Sequence, residues 1–253
     1  MPPPLAIVTC QHVACPWLFP RYFANKWDWL QFVSEEFVQH SLQLLSFEGP
    51  IAQAGSAVTK PEVLLDLPLV PQVHIHSERD LALLTLDGAA GQKIWEQAVS
   101  EFGLQSLALQ SGSCSQGEPL LFSGHRQLPG DEGDEGEGFQ VPKAVAGHFV
   151  GRSARGQEFA WSREVLEEGM CGGAVFGSTG ECVGIVEGIV PPLDEATDAS
   201  PPPEEDREAF ASWQMKQALA NHVAFIPSSE VRAFIAQPDD LLLTGMDLPP
   251  NIE

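Results

Sequence analysis

The amino-acid sequence predicts an all-β protein built from many short strands. Three observations lead there. In 253 residues there are 23 glycines and 21 prolines, and they break the chain into short segments. The apolar runs between those breaks are only a few residues long, the length of strands rather than helices. The composition, 43% apolar and 19% charged, is that of a chain that buries a core.

Taken in order, residues 5–9 (LAIVT) read as a buried strand. Between 16 and 45 the pattern changes. Trp27, Leu30, Val33, Phe37, Val38, Leu42 and Leu45 recur at a spacing that predicts one or two amphipathic helices. Apolar runs follow at 62–70 and 72–76, and ERDLALLTLDG reads as a strand closed by the Asp87-Gly88 turn. Further short strands are predicted at 105–109, 119–123, 139–150, 157–161, 173–176 and 182–190. Residues 191–203 form a Pro-rich linker, 204–219 hold a helix, and 221–226 a last strand. Ser228 or Ser229 is placed to cap the helix EVRAFIA, and 237–253 reads as a tail.

The 35 acidic residues outnumber the 13 basic ones for a formal charge of −22, which repels a phosphate backbone and argues against nucleic acid as a partner. Much of the acid lies in two blocks, Asp131 to Glu137 and Asp194 to Glu208, whose Gly- and Pro-rich setting predicts solvated loops. The five cysteines are odd in number and irregularly spaced, so free thiols in an intracellular, reducing compartment are expected, the cytoplasm first, without excluding an organelle. The start MPPPLAIVTC has no basic stretch ahead of its short apolar run, so it does not read as a signal peptide, and no apolar stretch is long enough to span a bilayer. No membrane partner, cofactor or metal is expected. His74 and His76 alternate on one strand face but have no third ligand at a telling spacing.

The chemistry concentrates in GMCGGAVF, Gly169 to Phe176. A cysteine between glycines on a tight turn leaves the backbone N–H groups of Gly169 and Cys171 free to converge on one point, which is what an oxyanion hole requires. Gly172 and Gly173 allow a substrate backbone to approach closely.

This block resembles the G-x-S-G-G-P nucleophile loop of trypsin-like and HtrA-like peptidases, with Cys171 in place of the serine and Ala174 in place of the proline. The form G-x-C-G-G is similar to that of the chymotrypsin-like cysteine proteases of picornaviruses. IVTCQHVACPW resembles the family's histidine block and assigns the base to His12. HSERDLALLTL resembles its aspartate block and assigns the third member to Asp80. NHVAFIPSSEVRAFI resembles the last strand and closing helix of HtrA-like domains. The order His, Asp, nucleophile is the chymotrypsin order. The resemblance implies two Greek-key β-barrels with a C-terminal helix. The first barrel would span 1–104, lack its opening strands and carry the helical insertion at 16–45. The second would span 105–236 with an acidic, Pro-rich insertion at 191–219. It further implies a peptidase in which His12 takes the thiol proton, Asp80 orients the imidazole and Cys171 attacks the carbonyl of a polypeptide substrate.

By the same resemblance, Val186, Glu187 and Gly188 pair with the substrate backbone. Val165 lies at the base of the pocket for the residue before the scissile bond, predicting an apolar preference, which Glu164 or Glu167 would turn toward basic residues. Three alternatives stand beside these assignments. Asp66 is a rival acid. Cys10, two residues before His12, is a second thiol on the same face if the strand continues, and would make Cys171 and Cys10 a redox-sensing pair. A catalytically silent peptidase-like scaffold is the rival for the whole chain. Any of these readings is compatible with an oligomer.

Overall fold

The computed structural model describes residues 5–23, 27–47, 61–128, 138–153, 156–190, 193, 200–203 and 205–238. The acidic block at 131–137 and the tail beyond residue 238 lie outside them. The protein is mostly β with few helices, and its chain divides into two compact units. One comprises 1–108, 128–141 and 230–253; the other comprises 109–127 and 142–229. No helix among the described residues is long and apolar enough to cross a membrane.

The first unit contains two small sheets. Strand β1 (Ala6–Thr9) is followed by the single helical turn α1 (Gln11–Ala14). A hairpin comes next, β2 (Ser41–Ser46) against β3 (Glu62–Pro68), with a register shift between Leu44 and Leu45. Strands β4 (His74–Ile75) and β5 (Ala82–Thr85) complete a three-stranded sheet in the order β1-β5-β4. Its apolar face packs Ala14, Cys15, Leu69, Val73, Ile75, Ala82 and Leu84 together, with Ile7, Trp17 and Leu42 against them. Where two barrels were expected, the described residues of this unit make a three-stranded and a two-stranded sheet and no closed barrel. Strands of two to seven residues split between two sheets do not supply the continuous ladder that closure requires.

Two helical expectations change. Over 16–45 the described residues form three short 3-10 turns, Pro16–Leu18, Asp28–Phe32 and Glu35–Phe37, and then enter β2. Trp, Phe and Val supply most of that helix-like spacing, and they are poor helix formers. SLQLLS alternates with the period of the strand it becomes. Conversely, helix α2 (Gly88–Phe102) occupies a stretch read only as the far side of a turn. Gly91, Trp95 and Ala98 turn inward at helical spacing, and Gly103 ends the helix in the left-handed region at φ 66°. Of the strand expected at 105–109, a single bridge from Leu109 to Cys182 is present.

The second unit is a closed six-stranded barrel. Its strands are β6 (Pro119–Leu128), β7 (Phe139–Arg152), β8 (Glu158–Ser162), β9 (Ala174–Phe176), β10 (Cys182–Ile189) and β11 (His222–Pro227). Around the barrel they run β10-β11-β8-β7-β6-β9. Alternation sends Phe122, Val145, Phe149, Ala160, Val175, Val183, Val223 and Phe225 into one core. Helix α3 (Arg207–Leu219) precedes β11, capped by Asp206, which accepts from the Ala209 N–H at 3.1 Å. Helix α4 (Ser228–Ala236) follows β11, starting at the first of the two serines expected to cap it.

Phe225 is fully buried and meets Phe149 edge to face at 6.1 Å. Phe225→Ala is therefore expected to cost about 3–5 kcal/mol in urea unfolding. Truncating the exposed Val165 to alanine should change stability by no more than about 0.5 kcal/mol.

Candidate active site

His12 stands on α1, immediately after β1. The β1–β5 register pairs Thr9 with Ala82. Running that antiparallel register on past Thr9 brings Asp80 level with the first turn of α1. The Asp80 carboxylate then holds His12 at two points: Oδ1 accepts from the His12 backbone N–H at 3.0 Å, and Oδ2 lies 2.5 Å from the ring Nδ1. Backbone and imidazole are thus oriented by one group. The pair is largely sheltered, with side-chain exposures of 13% for His12 and 22% for Asp80. The rings of Phe19, Tyr22 and Phe23 stand 6.3, 5.6 and 6.4 Å from the imidazole.

The loop that presents Asp80 is organised by a residue with another assignment in the sequence. His76, considered there with His74 as a metal ligand, accepts at Nδ1 from the backbone N–H groups of Glu78 and Arg79. Its own N–H bonds the Leu81 carbonyl at 2.9 Å, and its ring rests 5.4 Å from Phe234. Arg79 is drawn to Glu230, Nε to Oε2 at 2.6 Å and a second contact at 2.9 Å. The signal for this arrangement, His-x-x-Arg-Asp ahead of an apolar run, is present in the sequence, but it becomes meaningful only once the turn is seen.

Asp66 is on the β2–β3 hairpin and accepts from Gln43 Nε2 at 2.7 Å. Cys10 is not a strand residue facing the same way as His12, because β1 ends at Thr9 and Cys10 occupies the N-cap position of α1. The helical turn nevertheless folds it back. Among the described residues, Cys10, His12 and Asp80 form a group whose donor atoms all lie within 4.8 Å of one another.

Cys171 belongs to the barrel unit and is partly exposed. It sits between a 3-10 turn at Glu168–Met170 and Gly172, whose φ of 77° is a left-handed conformation that favours glycine. The loop is pinned on both sides. The Gly172 N–H donates to the Val186 carbonyl at 2.8 Å, and the Val186 N–H donates to the Gly173 carbonyl at 2.9 Å. A Cβ on Gly173 would stand 1.9 Å from the Ser123 carbonyl oxygen, so that position admits no side chain. Met170 anchors the loop from beneath and is fully buried. Gly169, the other expected oxyanion donor, is an exposed residue of the 3-10 turn.

Of the residues expected to pair with a substrate strand, Val186 is fully buried, and both its backbone groups bond the Cys171 loop. A register shift in β10 falls between Val186 and Gly188, at Glu187. Beyond it, the Val190 N–H donates to His222 and its carbonyl accepts from Asn221. Alternation therefore turns the backbone groups of Ile189 to the opposite edge, away from β11. Ile189 is the residue whose outward-turned backbone sequence reasoning missed, because the bulge changes which residues face that edge. Val165 is exposed, and nearby Lys143 reaches Glu167 at 2.7 Å and Glu164 at 3.6 Å.

No family model and no curated protein sequence matches the chain. Similar solved structures include the serine endoprotease from Yersinia pestis, at 13% identity and a TM-score of 0.40, covering 68% of this chain and 44% of that one. Another is the Rv3671c protease in an inactive form, at 13% identity and a TM-score of 0.39, covering 72% and 74%. These structural neighbours are proteases. The chain spans less than half the length of the first, and likenesses this distant assign no residue a role.

The other thiols of the barrel unit differ from an ordinary cysteine. Burial, with the nearby carboxylates of Glu118 and Glu158, pushes the Cys114 thiol up to about 12, against an opposing pull from Arg152. Burial also raises Cys182. A thiol raised in the folded state favours folding below the ordinary thiol range, and that contribution is lost as pH rises toward the folded value. At pH 8 Cys114 should alkylate on the order of a thousandfold more slowly in the native protein than in the urea-unfolded chain, read residue by residue by mass spectrometry. Equal rates would contradict this assignment.

Proposed function

We propose that the protein is a chymotrypsin-type cysteine peptidase that cleaves polypeptides by acyl transfer through Cys171, His12 and Asp80. The observation that carries this reading is the two-point hold of Asp80 on His12. An aspartate on Nδ1 fixes the tautomer with Nε2 available as the base, and it stabilises the imidazolium once a proton has been taken.

In this reading His12 Nε2 accepts the Cys171 thiol proton, and the thiolate attacks the scissile carbonyl carbon. The N–H groups of Gly169 and Cys171 receive the negative charge that develops on the carbonyl oxygen. Collapse of the tetrahedral intermediate expels the amine, which takes its proton from His12, and leaves a thioester on Cys171. Water, deprotonated by His12, then hydrolyses the thioester and restores the thiol. The substrate backbone adds along β10, with Ile189 as a pairing residue beside Glu187 and Gly188. An apolar residue before the scissile bond is favoured, since Val165 is exposed and Lys143 already engages Glu164 and Glu167.

The second reading, a silent peptidase-like scaffold, draws on a different observation. Tyr22, Trp29, Phe32 and Phe37 expose 65%, 56%, 82% and 80% of their surface, which leaves large aromatic side chains open to a protein partner.

Peptide-library cleavage separates the two. The peptidase reading expects hydrolysis after apolar residues and a thioester intermediate trapped on Cys171. It expects kcat/KM to fall at least about a thousandfold in Cys171→Ala and in His12→Ala. Cleavage that persists in Cys171→Ala, or no cleavage of any peptide, favours the scaffold.

A further inference from the structure

We propose that Cys10, His12 and Asp80 also form a binding site for a divalent transition-metal ion of the zinc class, and that the bound ion withdraws His12 from catalysis. The site itself stands on the geometry of the first unit. Only its effect on turnover rests on the peptidase reading.

One thiol sulfur, one imidazole nitrogen and one carboxylate oxygen lie within 4.8 Å of one another. Tetrahedral zinc, with bonds of about 2.0–2.3 Å, places its ligand atoms about 3.5 Å apart. An ion therefore needs Cys10 to draw in and the His12–Asp80 pair to open by about an ångström. The second carboxylate oxygen of Asp80, on the His12 backbone N–H, keeps the residue in place while the first turns to the ion.

The donor set also selects the ion. Thiolate and imidazole favour zinc and its neighbours, whereas magnesium and calcium call for oxygen ligands. A thiolate and a carboxylate neutralise a divalent charge, which matters at a site where Cys10 is fully buried and its two partners are largely sheltered. Binding releases the Cys10 proton to solvent, and the imidazole proton that Asp80 holds on Nδ1 is exchanged through solvent to Nε2, so that Nδ1 can face the ion. No electron transfer is involved. Three protein ligands leave the fourth position for water, and the ion enters from the side where His12 and Asp80 reach the surface.

The test is calorimetric titration of the reduced full chain with Zn²⁺, with Co²⁺ as the optical probe. One ion per chain is expected, with a thiolate-to-cobalt charge-transfer band. Cys10→Ala should abolish that band, and both Cys10→Ala and Asp80→Asn should weaken Zn²⁺ binding at least roughly 10- to 100-fold. Cys171→Ala should leave binding unchanged. His12→Ala alters a less buried position and should weaken binding equally, so it decides the matter if the Cys10 variant does not fold. Absence of binding overturns the proposal, as does binding that survives loss of Cys10 or His12 or that disappears with Cys171. If the chain proves not to be a peptidase, these binding results stand unaltered. If it is one, Zn²⁺ should inhibit it in proportion to occupancy, and full activity at saturation would overturn the proposed withdrawal of His12.

Discussion

The hold of one carboxylate on one histidine is the constraint around which the first unit is arranged. Asp80 and His12 are 68 residues apart in sequence, and the antiparallel register of β1 on β5 carries them together. Several local choices serve that meeting. Thr9 ends the strand, so α1 can turn His12 toward the carboxylate. His76 gathers two backbone N–H groups of the Asp80 loop, and Glu230 draws the neighbouring Arg79 into its own ion pair. A charge-assisted hydrogen bond in a sheltered setting is stronger and more orienting than its exposed counterpart, which makes Asp80 a positioning residue rather than a surface acid.

The barrel imposes a complementary constraint on Cys171. The Cys171 loop is held by backbone rather than side chains: Gly172 and Gly173 bond with Val186, and Gly173 lies against the Ser123 carbonyl where no Cβ fits. Packing beneath it is equally tight, with Met170 fully buried and Gly124 too close to it to carry a side chain. Both backbone groups of one β10 residue, Val186, are thereby tied to the loop.

What could be read from the sequence follows the range of the physics involved. The barrel strands were legible because alternation and turn residues are local signals, and β6 to β11 each begin within two residues of their predicted starts. The stretch 16–45 was misread because aromatic spacing mimics a helix when its residues resist one. Helix α2 was missed because Asp-Gly announces a turn so strongly that the helical spacing of Gly91, Trp95 and Ala98 behind it was passed over. Within the candidate site, residue types at Gly-punctuated positions were visible. The role of His76, the bulge that turns Ile189 outward and the approach of Cys10 to Asp80 were not. Each depends on which residues face one another after folding, and a single chain does not print that.

The proposed chemistry turns on whether His12 activates Cys171. Its most direct test is the rate of Cys171 alkylation by limiting iodoacetamide across about pH 5 to 9, in the native protein and in His12→Ala. If His12 activates Cys171, native Cys171 reacts fastest of the five cysteines near pH 6, well above its rate in the unfolded chain, and this advantage vanishes without His12. A Cys171 rate that follows an ordinary thiol at every pH and is indifferent to His12 would contradict it.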